Sequence, residues 1–484
     1  MTPGEAGPAG SAIQLTAAWV AAQMDGTMVA GDATRGFVDV SIDTRTLKPG
    51  DIYVGIRGER FDGADFAGVA IEAGAAGVVV PRRSAQALAE RQVEALAERN
   101  VVVIEVDDTT VALQALAHGI RREAGTKVVA ITGSAGKTTT KEVTSDFLEA
   151  RYRVVRNRGN FNNHIGLPLA LIELRQRPEI AVVELGMNHA GEISTLVRVA
   201  EPDVRVWTNV GEAHLGFFAS IDAIADAKAE IFEGASASTL LVANADDPRI
   251  TARLGAFRGR VVTFGIDGDF ADVRASAVED RGIEGISARV TTRNGVVDIT
   301  TPLIGRANLA NILAATAVAE EFGVALATVA TRAAHLRPAA RRGEVLRMAG
   351  GVTVIDDSYN ANPDATKKAL GVLAESRASR RIAVIGEMLE LGECSSELHQ
   401  GVGRAVVDAR VDVLVSVGGA PAKALADAAV AAGMPAAGVH HFATSDEAAN
   451  AMPALVRAGD LVLVKGSRGV KTDRVVDRLR AEQG

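Results

Sequence analysis

Short runs of consecutive apolar residues, separated by Ala-rich stretches with helical spacing, recur along this chain in three blocks. In the first block Val38–Ile42, Asp51–Ile56, Gly77–Val80 and Val101–Val106 read as strands. Lys48-Pro49-Gly50-Asp51 reads as a turn, because Pro fixes φ and Gly tolerates positive φ. The second block opens with Lys127–Thr132 and continues through Ile180–Leu185, Val204–Asn209, Thr239–Ala243 and Arg260–Phe264. Strands apolar on successive residues have both faces covered, which predicts a parallel sheet between helices. Residues 270–303 alternate instead. Asn294-Gly295 lies between Ala288–Thr292 and Val296–Thr300, which predicts a hairpin in a small antiparallel insertion. From Pro338 onward Val352–Asp356, Arg381–Ile385, Val411–Val417 and Leu461–Lys465 alternate with helices such as Pro363–Ala374 and Ala420–Ala432, a doubly wound α/β unit. The ligand crevice is expected between blocks, at the carboxyl ends of strands.

A length of 484 residues suits about three domains. The pattern divides the chain into a disordered lead-in at 1–11, a first domain at 12–125, a central domain at 126–337 and a C-terminal domain at 338–484. The net charge of -8 and an aromatic content of 4% argue against nucleic-acid binding, which needs surplus cations and stacking platforms. One cysteine, Cys394, excludes an intrachain disulfide and a Cys-rich zinc site and fits a reducing compartment. The N-terminus has no basic start or apolar core of a signal peptide, and no run is long enough for a membrane helix. A cytoplasmic location is expected.

The chemistry concentrates in the central block. Thr132-Gly133-Ser134-Ala135-Gly136-Lys137-Thr138-Thr139-Thr140 follows a predicted strand and opens a predicted helix. Glycines let backbone wrap a phosphate, and the helix start presents N–H groups and a positive dipole end. Lys137 would neutralise terminal phosphates and Thr138 would reach magnesium. The generic phosphate loop wants Gly where Ile131 stands, so this is a shorter form, G-x-x-G-K-T. Glu184 ends an apolar run, where a carboxylate needs an ion partner or a metal. His214 follows the next strand on a loop and, read alone, has the profile of a surface residue. Lys228 lies in the apolar stripe formed by Ile221, Ile224, Ala225, Ile231 and Phe232, with Ser220 as helix cap. A snorkelling side chain is the common outcome there. The alternative is a neutral amine that adds carbon dioxide and becomes a carbamate able to bind a hard cation.

Together these residues resemble the Mur ligase family over nearly the whole chain after the lead-in. The resemblance is carried by Ser41–Arg45, Thr132–Thr140, Gly159–Gly166, Glu184–Gly186, Thr208–Leu215, Ala227–Ile231, Asn308–Asn311, Ile355–Pro363, Gly386–Gly392 and Lys465–Arg468. It implies a UDP-sugar domain, a central ATPase-like domain and a C-terminal Rossmann-like domain. It also implies an ATP-dependent ligase joining D-alanyl-D-alanine to UDP-N-acetylmuramoyl-tripeptide through an acyl phosphate, in peptidoglycan synthesis. Carried over, Gly133, Ser134, Ala135, Gly136, Lys137, Thr138 and Thr139 would hold ATP phosphates, Asn308 and Asn311 the adenine, Arg342 the γ-phosphate and Asp357 the ribose. Two magnesium ions are implied, one on Thr138 and Glu184, the other on His214 and a carbamylated Lys228. Asp43, Thr44 and Arg45 would meet the uridine diphosphate end, and Asn160, Asn162 and Asn163 the muramoyl-peptide part. Asn360, Asn362, Lys465, Ser467 and Arg468 would line the reacting-peptide site.

Three positions depart from the family pattern. Gly305-Arg306-Ala307 stands for Gly-x-His, Glu387 for Asp, and Arg341 for the Gly before the phosphate-contacting arginine. Asp356–Pro363 and Lys465–Arg468 argue against the ligase for the third peptide residue and against a folylpolyglutamate synthase. A nucleotide-dependent switch is the rival of another class. Whether the acceptor ends in diaminopimelate or lysine is left open, as is the oligomeric state.

Overall fold

A computed structural model describes residues 11–91, 96, 98–157, 159, 161–267 and 270–483. Apart from Ser11, the expected lead-in lies outside these residues, as does Asn160. Two compact units form. Of the described residues, one holds those up to 130 with those in 152–187 and 191–203, the other those in 131–151, 188–190 and from 204 onward. The dividing line runs through the strand Lys127–Thr132.

In the first unit a five-stranded sheet runs in the order Thr27–Ala30, Val102–Val106, Gly77–Pro81, Ile52–Val54, Val40–Ser41. All its pairs are parallel except the one made by Thr27–Ala30. The helix Thr109–Ala124 follows. Asp108 caps its N-terminus by accepting from the Thr110 and Val111 N–H groups, and Gly125 ends it at φ +69. Its buried Leu113, Leu116, Ala117 and Ile120 face the helices Gly166–Ile172 and Glu192–Ala200. That packing explains why the end of the first domain and one side of the central sheet form a single compact body.

In the first unit Val154–Arg156 pairs in parallel with Ile180–Glu184. In the second unit the central sheet holds Val204–Trp207, Leu240–Asn244 and Arg260–Gly265, mutually parallel, followed by Val273–Asp280, Ile286–Thr292 and Gly295–Thr301. Ile180–Glu184 and Val204–Trp207 are buried at every residue, as both-face coverage requires. The alternating segment forms the expected antiparallel hairpin strands, and they continue the edge of the central sheet, where Phe264 and Gly265 pair in parallel with Val273 and Arg274. Thr292 pairs with Gly295, so the turn is Arg293-Asn294, one residue earlier than the Asn-Gly signal suggested.

The C-terminal sheet runs Glu344–Arg347, Thr353–Asp357, Asp460–Lys465, Arg380–Gly386, Val413–Val417, Val439–Phe442, parallel after the first pair. Alternate residues serve opposite faces. Ala383, Ile385, Leu461 and Leu463 join Leu370, Leu373 and Leu425 in one core, while Ile382, Val384, Val462 and Val464 join Met452, Val475 and Leu479 in the other. This is the doubly wound arrangement. Among the described residues no helix is long and apolar enough to cross a membrane.

Candidate active site

The phosphate loop leaves its strand at Gly133, φ +149, where a Cβ would stand 2.0 Å from Thr208 Oγ1. At Gly136, φ +80, the helix Lys137–Glu149 begins without a side-chain cap. The loop is stitched to the turn after Val204–Trp207. Ser134 N–H donates to the Asn209 carbonyl (3.0 Å), Ala135 N–H to Asn209 Oδ1 (2.9 Å), and Thr208 Oγ1 to the Ala135 carbonyl (2.7 Å). Lys137 Nζ folds back to the Gly133 carbonyl at 2.7 Å. These bonds hold the loop in a wrapped shape, with the Lys137 ammonium on the Gly133 carbonyl. Thr138 and Thr139 on the first turn are half-buried. Thr208 and Asn209 were not singled out from sequence; their place directly after a buried strand was the available signal.

Asn308 and Asn311 lie on the helix Arg306–Glu321, packed along the phosphate-loop helix. Asn311 is buried and its Oδ1 accepts from Thr140 Oγ1 at 3.1 Å, so it buttresses that helix directly. Asn311 Nδ2 also donates to Asn308 Oδ1 at 3.3 Å. Arg306, in the departed Gly-x-His segment, pairs with Asp267.

Lys228 is 2% exposed on the helix Ile221–Ala229, whose N-terminus Ser220 caps by accepting from Ala223 N–H at 3.1 Å. Burial pushes its ammonium well below the usual lysine range, and the Lys137 charge adds to the effect. No carboxylate is among the causes that set its ionisation. The end of its helix is held by Arg205, which is buried and donates Nη1 to the Ile231 and Glu233 carbonyls. Desolvation lowers the Arg205 guanidinium to about 10.

His214, at φ +63, directs Nδ1 to Glu390 Oε2 at 2.6 Å. That hydrogen bond holds the Glu390 carboxyl below the usual range. Glu390 belongs to the segment Gly386–Gly392 of the C-terminal domain, and sequence reasoning had given it no role. Beside it Glu212 N–H donates to Asp364 Oδ2 at 3.2 Å.

In the C-terminal domain Lys465 Nζ reaches Asp357 Oδ2 (2.6 Å) and the Asn360 carbonyl (3.0 Å), so three expected site residues meet. Ser467 Oγ accepts from Leu389 N–H at 2.9 Å. The Asn362 side chain is taken up capping the helix Pro363–Glu375, accepting from Ala365 N–H at 2.8 Å. The Arg342 guanidinium lies 4.1 Å and that of Arg468 5.7 Å from the centre of the Tyr359 ring. Arg341 adopts φ +61, the left-handed conformation that suits Gly, and pairs with Asp473 at 2.8 Å. At this departure from the family pattern an arginine thus takes a backbone shape that suits glycine and makes an ion pair. Glu387, the other departure in this domain, accepts from Gly419 N–H at 2.7 Å.

In the first unit Asp43 accepts from Arg45 Nη2 at 2.6 Å and from its backbone N–H at 3.0 Å, beside the half-buried Thr44. Those bonds hold the Asp43 carboxyl at about 2. Glu184 is 3% exposed and accepts from Asn162 Nδ2 at 2.7 Å. Asn163 Oδ1 accepts from the Gly166 N–H at 2.8 Å, opening the next helix.

Comparison with known proteins agrees with this layout. Residues 38–121 match the model of the Mur ligase family catalytic domain, 131–319 that of the Mur ligase middle domain, and 341–468 that of the Mur ligase glutamate ligase domain. UDP-N-acetylmuramoyl-tripeptide--D-alanyl-D-alanine ligase of Bacillus subtilis (strain 168) is 35% identical over 442 residues, covering 91% of this chain and 92% of that one. A crystal structure of MurF from Acinetobacter baumannii superposes with a TM-score of 0.86 at 29% identity, covering 97% of this chain and 99% of that one. MurF ligase from Thermotoga maritima in complex with ADP gives 0.79 at 27% identity, covering 92% and 97%. Three domain matches, with 35% identity over 91% of this chain and 92% of the relative, establish that the chain belongs to the Mur ligase family.

Proposed function

We propose that this chain is an ATP-dependent ligase that adds D-alanyl-D-alanine to UDP-N-acetylmuramoyl-tripeptide, in the cytoplasm, during peptidoglycan synthesis. The observation that carries the proposal is the wrapped loop Gly133–Lys137, in a chain matched over 91% of its length to a ligase named for that reaction. The tripeptide's terminal carboxylate attacks the γ-phosphorus of ATP, the bond to the ADP oxygen breaks, and an acyl phosphate forms. The dipeptide amine then attacks the acyl carbon, phosphate leaves, and the amine releases a proton. In the first step two unit charges at ~4 Å repel by about 4 kcal/mol at an effective dielectric near 20. Lys137 and Arg342 offset that repulsion where charge develops on the transferred phosphoryl group.

Magnesium, when bound, supplies further neutralisation of the phosphates. Thr138 and Glu184 would hold one ion, and His214 and the Lys228 carbamate a second. The fit rests on Lys228: burial pushes its ammonium well below the usual lysine range, which favours the neutral amine that adds carbon dioxide, and the resulting anion would be drawn to the neighbouring Lys137 charge. Asp43, Thr44 and Arg45 take the uridine diphosphate end. Asn160, Asn162 and Asn163 take the muramoyl peptide, and Asn360, Lys465, Ser467 and Arg468 the incoming dipeptide.

Phosphate release by the purified chain is expected to require ATP, UDP-N-acetylmuramoyl-tripeptide and D-alanyl-D-alanine together, and Lys137→Ala is expected to abolish it with the fold intact. Release indifferent to both peptides would overturn the proposal and favour a nucleotide switch.

A further inference from the structure

The contact between the loop at 214–216 and the C-terminal segment Gly386–Gly392 is built from both sides. The segment is anchored in its own domain: Glu387 N–H donates to the Val417 carbonyl (2.8 Å), Met388 N–H to the buried His399 Nε2 (2.9 Å), and Leu389 N–H to Ser467 Oγ (2.9 Å). It then turns through Glu390 at φ +65, a non-glycine residue in the left-handed region. The Glu390 carbonyl accepts from Gly216 N–H at 2.8 Å, and its carboxylate meets His214 Nδ1 at 2.6 Å. Glycines permit the approach. A Cβ on Gly392 would lie 2.8 Å from Gly216 Cα, and one on Gly216 would lie 3.1 Å from the Glu390 carbonyl oxygen.

A carboxylate only accepts hydrogen bonds, so the short contact puts a proton on Nδ1, and in the neutral ring Nε2 is then the electron-pair donor. A carboxylate behind an imidazole in this way fixes the ring of a metal-ligating histidine and raises its basicity. We propose that Glu390 is the positioning residue for His214, so that docking of the C-terminal domain sets the tautomer and aim of the imidazole that receives a divalent cation. This rests on the metal role given to His214 above, and it adds a consequence: the cation site is completed by a residue 176 positions away, on another domain.

Two measurements on the full-length chain test it. In metal-free protein, imidazole ¹⁵N shifts of His214 are expected to report the Nδ1–H tautomer. Glu390→Ala is expected to release it, while Glu390→Gln, whose amide oxygen still accepts, keeps it. In Mn²⁺ titrations followed by electron paramagnetic resonance, Glu390→Ala is expected to weaken one site about 10–100-fold, the range for loss of such a partner. Glu390→Gln should recover most of that loss, which a merely structural defect would not allow. An Nε2–H tautomer in the wild type overturns the inference. So does Mn²⁺ binding by Glu390→Ala at wild-type strength while His214→Ala loses a site. If His214→Ala itself binds Mn²⁺ normally, the metal role of His214 falls, and the inference falls with it.

Discussion

Replacing Gly136 by alanine tests how the phosphate loop is held. At φ +80 the new Cβ would stand 2.5 Å from Asn311 Oδ1 and 3.2 Å from Asn311 Cγ. Two penalties add. Placing an L-residue in the left-handed region costs about 1–2 kcal/mol. Pushing the Asn311 amide away breaks its bond with Thr140, and leaving those buried groups unpaired costs about 1–3 kcal/mol more. Gly234 supplies the control: its φ is +63 and a Cβ there meets nothing within 4 Å, so Gly234→Ala carries only the backbone penalty. Urea unfolding, followed by the fully buried Trp207 of the same unit, is expected to show Gly136→Ala less stable than Gly234→Ala by about 1–3 kcal/mol. Calorimetry should show weaker ATP binding by Gly136→Ala alone. Adding Asn311→Ala should make the pair less than additive, because the overlap disappears. Equal losses for the two glycine variants would refute the claim that Asn311 braces the loop.

Arg205→Met should cost about 2–4 kcal/mol in urea unfolding, since it orphans the Ile231 and Glu233 carbonyls at the end of the Lys228 helix; a loss below about 1 kcal/mol would mean those carbonyls find other donors. Tyr359→Leu should raise the KM for ATP about 2–30-fold through loss of cation–π contact with Arg342, and Tyr359→Phe should not; equal effects would exclude the ring as the cause. Asp43 has a lowered folded pKa, so any stability it contributes is present above 3.8 and lost as pH falls through about 2. Its NMR titration midpoint should climb toward 3.8 in Arg45→Gln, and an unmoved midpoint would contradict the pairing.

The buried parallel strands were legible because burial on both faces writes one unbroken apolar run, and Lys127–Thr132 agrees end to end. Glu344–Arg347 and Val439–Phe442 were missed: they lie at the edges of their sheet, half-buried, and Val439–Phe442 carries two histidines. Val154–Arg156 is too short to show a period. Within the site, the phosphate loop and Lys228 announced themselves through local rules, glycine placement in one case and a charge on an apolar stripe in the other. Glu390 could not, because its partner is remote in sequence and the segment around it has no period. Arg341 reads from sequence only as a departure from the usual Gly, because its left-handed backbone and its Asp473 partner are properties of the folded chain.

Cys394, the only sulfhydryl in the sequence, closes the short turn Gly392–Cys394 and faces solvent. A maleimide fluorophore would therefore attach at one place, two residues beyond the glycine that touches Gly216, with no engineered substitution. Its anisotropy would track the seam between the nucleotide-binding and C-terminal domains through a catalytic cycle, in the natural sequence.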